Sequence, residues 1–142
     1  MIRKMKKQLI MGIVLVSLTS ILYYIIYINT YLNIKIINNT SSTISGLKIT
    51  SNLLRKNIKV NDIEPKKDEE IKINSSKEFM DGEGALYLKS EMKSGQVEEF
   101  YLVEYMEGGT TGNIEVTIEE DKNGKIYTSV EEKRGIHNIL NY

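Results

Sequence analysis

The sequence predicts an all-β domain, an antiparallel immunoglobulin-like β-sandwich of about seven or eight strands, carried behind one N-terminal transmembrane helix. Three observations lead there. Residues 9–28, LIMGIVLVSLTSILYYIIYI, hold no charge and follow Arg3, Lys4, Lys6 and Lys7. Short apolar–polar alternations then recur at intervals of roughly 11 to 13 residues, the spacing of a sandwich or small barrel. After residue 28 no stretch repeats its apolar residues with the period of an amphipathic helix.

The helix comes first. At about 1.5 Å per residue, the run from Leu9 to Ile28 matches a hydrocarbon core about 30 Å thick. Each Leu, Ile and Val favours insertion by roughly 0.3 to 0.6 kcal/mol, which outweighs the hydroxyls of Ser17, Thr19 and Ser20, and these can bond back to the helix. The basic cluster predicts a cytoplasmic N-terminus (1–8), and Tyr23, Tyr24, Tyr27 and Tyr31 gather toward the opposite interface. An uncleaved signal-anchor is favoured over a cleaved signal peptide. The run exceeds the usual apolar core of 7 to 15 residues, and INTYLNIKI offers no small-x-small cleavage site. With no cysteine anywhere, no lipid-attachment site exists. The Gly-aromatic cleavage site of prepilins is also missing. A cytoplasmic-membrane protein with an outward domain over 33–142 is therefore expected.

Charge narrows the function classes. All 19 acidic residues lie beyond residue 61 and four of the 19 basic ones precede the anchor, so the remainder carries a net charge of −4. Within it, Lys35, Lys48, Arg55, Lys56 and Lys59 precede the first acid, and everything from Asp62 onward is net −9. Such an acidic domain lacks the basic footprint of nucleic-acid binders. The early basic stretch suits anionic surface polymers or lipid heads, although solvated strand faces are the commoner meaning of such charges. About 110 residues make one domain with a modest core. Without cysteine, that domain rests on packing and strand pairing alone.

The strands follow in order. Ile34-Lys35-Ile36, Leu47-Lys48-Ile49, Ile58-Lys59-Val60 and Ile71-Lys72-Ile73 alternate as half-buried strands do. NNTSST, Ser51 to Asn57 and Glu64-Pro65-Lys66-Lys67-Asp68 separate them, the last holding the chain's single proline at a turn. Ala85 to Met92 and Val97 to Met106 read as strands joined near Lys93-Ser94-Gly95, the second apolar enough for a central position. Asn113 to Glu119 turns Ile114, Val116 and Ile118 inward, and Ile126 to Glu131 does the same with Ile126, Thr128 and Val130. Between them Asn123-Gly124 predicts a type I′ hairpin. One helical turn is expected near Ser51 to Lys56 or Ser76 to Met80. GIHNILNY closes the chain as a docking tail or a frayed end.

With NNTSSTISGLKIT, an EGALYL strand and a Tyr-rich strand ending in a Gly loop behind one anchor, the chain resembles uncharacterised small surface proteins of Gram-positive-type bacteria. The Ile-, Lys-, Asn- and Tyr-rich composition fits the same source. The resemblance implies fold and location, and it assigns no functional residue.

Catalytic chemistry finds little support. His137 is the single histidine and cysteine is absent, so Cys-His catalysis and ordinary zinc sites are excluded. A Ser-His-Asp triad lacks its GxSxG elbow. Glu78, Asp81 and Glu83 read as a solvated turn before a calcium site, since calcium needs six or more converging oxygens. Glu83 with Glu104 as a glycosidase pair has neither a cleft nor a stacking Trp. Gly108-Gly109-Thr110-Thr111-Gly112 lacks the Lys and helix of a phosphate loop, so no nucleotide is expected. No catalytic, metal or cofactor residue is assigned. Loops on a rigid sandwich carry binding function, so Tyr101, Tyr105, Gly108, Gly109 and Thr110 form the candidate partner surface, with core packing as the competing role of the tyrosines. The four strand lysines make a second patch only if their strands share a sheet and a face. A non-enzymatic binding or interaction module at the bacterial cell surface is expected, with a protein or cell-envelope partner. Toxin immunity, an accessory subunit of a membrane complex and a small envelope hydrolase stand as alternatives.

Overall fold

A computed structural model describes residues 2–28, 30–91 and 97–134. Helix α1 (Ile2–Ile28) is followed by β1 (Tyr31–Asn38), β2 (Leu47–Ser51), β3 (Ile58–Lys59), β4 (Asp68–Asn74), a single-turn helix α2 (Ser75–Glu78), β5 (Glu83–Glu91), β6 (Val97–Glu107), β7 (Gly112–Glu120) and β8 (Ile126–Arg134). The Lys93-Ser94-Gly95 connection and the GIHNILNY tail, with His137, lie outside the described residues.

The strands form two four-stranded sheets, ordered β4-β1-β7-β8 and β3-β2-β5-β6. β1 alternates between buried and half-buried along its whole length, and its inward Leu32, Ile34 and Ile36 are at most 2% exposed. Ile114, Val116 and Ile118 of β7 face the same way, as their alternation predicts. From the other sheet come Leu47, Ile49, Leu86, Leu88, Leu102, Val103 and Met106, and all of these side chains join one buried cluster. Each such side chain is worth about 1.5 to 3 kcal/mol when fully buried, so this shared core holds the two layers together without a disulfide.

Three expectations are corrected. First, pairing is not wholly antiparallel, because β1 runs parallel to β7, with Leu32 opposite Gly112 and Asn38 opposite Ile118. The alternation of each strand reads the same in either direction, so local sequence is blind to this contact. Second, among the described residues β6 is an edge strand, paired with β5 alone. Third, the β7–β8 hairpin forms, but its turn is not type I′. Lys66 is the one described non-glycine residue with positive φ, so Asn123 does not take the required conformation. Instead Gly124 alone turns left-handed at φ +78° and its N–H closes onto the Asp121 carbonyl at 3.0 Å. Asp121 Oδ1 accepts the N–H groups of Asn123 and Lys125, both at 2.8 Å, and so selects the longer loop.

The single helical turn falls at α2, where Asn74 caps the start by accepting Lys77 N–H at 3.2 Å. The Pro65 turn has Lys66 at φ 61° and Lys67 N–H bonded to the Glu64 carbonyl at 3.2 Å, the pattern of Pro followed by a positive φ.

Candidate interaction surfaces

Within α1, residues Leu9–Ile26 form a span long and apolar enough to cross a membrane, and none of it is buried against the β domain. Ser17 and Ser20 donate their hydroxyls to the Ile13 and Val16 carbonyls four residues back, and Thr19 to Val16, all at 2.9 Å. Its serine and threonine hydroxyls are thereby satisfied within the helix, as a hydrocarbon surrounding requires.

Only two residues separate α1 from β1, so the domain begins at the helix end. The Thr30 carbonyl accepts Ser75 N–H at 3.0 Å. Tyr31 lies opposite Asn74, Leu32 opposite Gly112, and Gly112 opposite Arg134. The anchor-proximal end is therefore built from α2, the 108–111 connection, the start of β7 and the end of β8. Segments 39–42, 64–67 and 121–125 lie at the distal end.

The predicted site residues divide. Gly108, Gly109 and Thr110 sit at the proximal end, on the crossing from one sheet to the other. They are fastened there. Gly108 N–H bonds to the Gly82 carbonyl at 2.9 Å, Thr110 Oγ1 donates to Glu107 at 2.7 Å, and Ser75 Oγ donates to the Thr110 carbonyl at 2.5 Å. A Cβ on Gly108 would lie 2.4 Å from the Met80 carbonyl oxygen, so backbone packs directly on this glycine. The connection is thus a tied crossing between the sheets.

Tyr101 and Tyr105 are not core residues, being 55% and 49% exposed on the outer face of β6. Tyr105 belongs with the proximal end: its hydroxyl reaches Glu107 at 3.4 Å, and partial desolvation with the nearby Glu83 and Glu107 carboxylates raises its pKa. Tyr101 sits higher on the strand beside Tyr87, ring centroids 4.8 Å apart and tilted by 47°. A hydrogen bond with Tyr101, followed by partial burial, raises the pKa of Tyr87.

A surface that the sequence did not reveal joins β6 to β8. Among the described residues beyond residue 30, the exposed large apolar side chains apart from Met80 are Tyr101, Tyr105, Ile126, Tyr127 and Val130, and all five belong to these two strands. Both are sheet edges and both are long, 11 residues in β6 and 9 in β8. β8 keeps one unbroken register with β7, from Gly112↔Arg134 to Glu120↔Ile126. Of the opposite edges, β3 has two residues and β4 exposes no large apolar side chain. The expected inward burial of Ile126 and Val130 fails because β8 stands at the margin of its sheet, leaving them 42% and 37% exposed. The signal available in sequence was weak: a nine-residue strand whose apolar residues fill only its first half.

The four strand lysines also divide. Lys48 lies opposite Lys59 in one sheet, whereas Lys35 and Lys72 belong to the other, opposite Glu70 and Asn33. Lys35 reaches Asp68 at 3.7 Å. Among the described residues no group of three or more His, Asp or Glu side chains converges as a metal centre would require. Glu83 faces Glu107 across β5 and β6, while Glu78 caps nothing and offers its backbone carbonyl to Arg55 N–H.

No protein-family profile matches this chain, and no curated protein sequence does either.

Proposed function

We propose that the chain is a single-pass protein of a bacterial cytoplasmic membrane, N-terminus inside, whose outward β domain is a non-enzymatic binding module. The partner docks along the β6/β8 side. One observation carries this reading: among the described residues, the apolar side chains left exposed beyond the helix concentrate, apart from Met80, on two long edge strands that border the same side of the domain. An edge strand presents unpaired N–H and C=O groups that an extended polypeptide satisfies, with exposed side chains setting the register.

Membrane anchoring is supported by the length and complete exposure of Leu9–Ile26, and outward orientation by the basic residues ahead of it. An immunoglobulin-like arrangement is supported by two layers around one core and by connections β1–β2, β3–β4, β4–β5 and β6–β7 that pass between the sheets.

Chain direction bears on the partner. β1 leaves the anchor, β7 runs parallel to it, and β8 returns toward the anchor. Antiparallel pairing of β8 with a second β8 would put the two anchors at opposite ends of the joined sheet. Copies in one membrane are thus denied that seam, which favours a different polypeptide.

In-cell photocrosslinking tests the reading. A photoreactive residue at Tyr101 or Tyr127 is expected to give one discrete protein adduct, lost in Val130→Lys, while the same residue at Asp68 or Glu70 gives none. Equal adducts from both sides, or none from Tyr101 and Tyr127, would refute docking on this side.

A further inference from the structure

The outer face of the β3-β2-β5-β6 sheet carries a second, chemically different surface. Lys48 pairs in register with Lys59 on one side and with Lys89 on the other. Three lysines therefore occupy one row across three strands, about 10 Å from end to end. Like charges placed directly opposite destabilise a sheet. A single carboxylate, Glu99, ends the row, 3.2 Å from Lys89. This concentration of positive charge sits on a domain whose net charge is negative.

The adjacent row is Thr50, Tyr87 and Tyr101. The two tyrosine rings form a tilted pair at 4.8 Å, and Tyr101 keeps more than half its surface exposed. Between the rows lies a depression of about 450 Å³ lined by Lys48, Thr50, Asn57, Tyr87, Lys89 and Glu99. Thr50 is only 9% exposed, yet its hydroxyl makes no hydrogen bond. A buried hydroxyl without a partner is costly and rare, and here it belongs to the lining of the same depression.

We propose that this face binds an anionic glycopolymer, a phosphodiester-linked polyol or sugar chain. Its phosphates lie along the Lys59–Lys48–Lys89 row, where ammonium groups act as point charges. Its polyol or sugar units rest against Tyr87 and Tyr101, and a ligand hydroxyl completes Thr50. The row stands apart from the lipid surface. Along β5, Lys89 is six residues from Glu83, which pairs with Glu107 beside the proximal 108–111 connection. Six residues of strand span about 20 Å, more than twice the distance over which physiological salt screens a charge. The occupant is accordingly a free chain and not a headgroup. The site shares Tyr101 with the β6/β8 edge but takes a different class of ligand on the rest of the β3-β2-β5-β6 face, and it does not depend on that reading.

The test uses the full chain in phosphatidylcholine nanodiscs, titrated by interferometry with poly(glycerol phosphate). Single-stranded DNA of equal charge and free phosphatidylglycerol vesicles serve as comparison probes. Poly(glycerol phosphate) is expected to bind, with affinity falling steeply between 50 and 200 mM salt, as expected when about three phosphates are neutralised. Lys48→Gln with Lys59→Gln is expected to weaken binding at least tenfold and to flatten the salt dependence, while Lys67→Gln with Lys122→Gln at the distal end changes neither. Thr50→Val is expected to weaken binding several-fold while the melting temperature stays level or rises, which separates a ligand role from a folding role. No binding to poly(glycerol phosphate), equal binding to DNA, binding to the vesicles alone, or unaltered binding by the Lys48/Lys59 double variant would each overturn the proposal.

Discussion

Replacing Asn38 with alanine should weaken the domain more than any other single polar change at its distal end. Asn38 is the last residue of β1 and is fully buried. Its Nδ2 donates to the Ser42 and Ile63 carbonyls, both at 2.8 Å, and its Oδ1 accepts Thr40 N–H at 2.9 Å and Thr40 Oγ1 at 2.7 Å. Alanine deletes all four bonds. The damage is graded, however, because Ile63 still accepts Ile44 N–H and Ser42 still accepts Thr40 Oγ1. Only Thr40 N–H loses its single recorded acceptor. Two amide donations at about 0.5 to 1.5 kcal/mol net each and about 1 to 3 for the stranded N–H, with the single Thr40 hydroxyl proton turning to Ser42, put the loss at about 2 to 6 kcal/mol. That is a large share of an ordinary domain's stability of about 5 to 15 kcal/mol. Urea unfolding of the full chain in micelles, followed by circular dichroism, measures it. Asn38→Asp sharpens the comparison. It keeps the acceptor for Thr40 but turns a second, charged oxygen toward two carbonyls, so the variant should be more stable near pH 4 than at pH 7 relative to wild type. A loss below about 1 kcal/mol for alanine, or an aspartate variant insensitive to pH, would refute the hydrogen-bond argument.

Gly108→Ala should destabilise the proximal crossing by about 1 to 3 kcal/mol, because its Cβ meets the Met80 backbone and not a movable side chain; a shift under about 0.3 kcal/mol in the same assay would contradict the close approach. The distal hairpin should loosen in acid. Glu120 is held below its usual pKa by the Ser41 hydroxyl and backbone N–H, and Asp121 by Lys125 N–H and then Asn123 N–H. A carboxylate with lowered folded pKa contributes stability that is complete above its unfolded pKa and is lost as pH falls through the folded value. Hydrogen-exchange protection factors at 121–125, taken against the intrinsic rate at each pH, should therefore fall below about pH 4 and stay flat from pH 6 to 8. Ser41→Ala should remove part of that acid sensitivity, read by the same protection factors. Val130→Lys should leave stability within about 0.5 kcal/mol, because the side chain is already over a third exposed. A larger loss in the urea assay would mean that β8 is core and not docking edge.

How much of this was legible before folding depends on how local each signal is. The inward faces of β1 and β7 were plain from Leu32, Ile34, Ile36, Ile114, Val116 and Ile118, because period-two alternation is a property of neighbouring residues. The turn at Asn123-Gly124 was located correctly and typed wrongly, since Asp121, two residues before Asn123, captures two N–H groups and lengthens the loop. Position within a sheet was beyond reach. Tyr101 and Val103 read as a central strand, yet nothing in a strand's own residues says whether one neighbour or two will pair with it. The parallel contact of β1 with β7 joins residues about 80 positions apart and leaves no local trace. The same holds for the binding surfaces. Lys48, Lys59 and Lys89 become a row only through two strand pairings, and Asn38 looked like one more polar residue before a loop until Ile63 closed over it.

A domain held at the outer face of a membrane by an uncovered N-terminal helix would present its distal turn to the outside of the cell. Because the chain has no cysteine, a single one at Asn123, on the exposed distal turn, is an isolated reporter. Intact cells expressing Asn123→Cys, with any outer wall permeable to the probe, are treated with a membrane-impermeant maleimide before and after lysis. The account predicts full labelling before lysis and recovery of the labelled chain in the membrane fraction. Labelling that appears only after lysis, or a labelled chain that leaves the membrane without detergent, would contradict it.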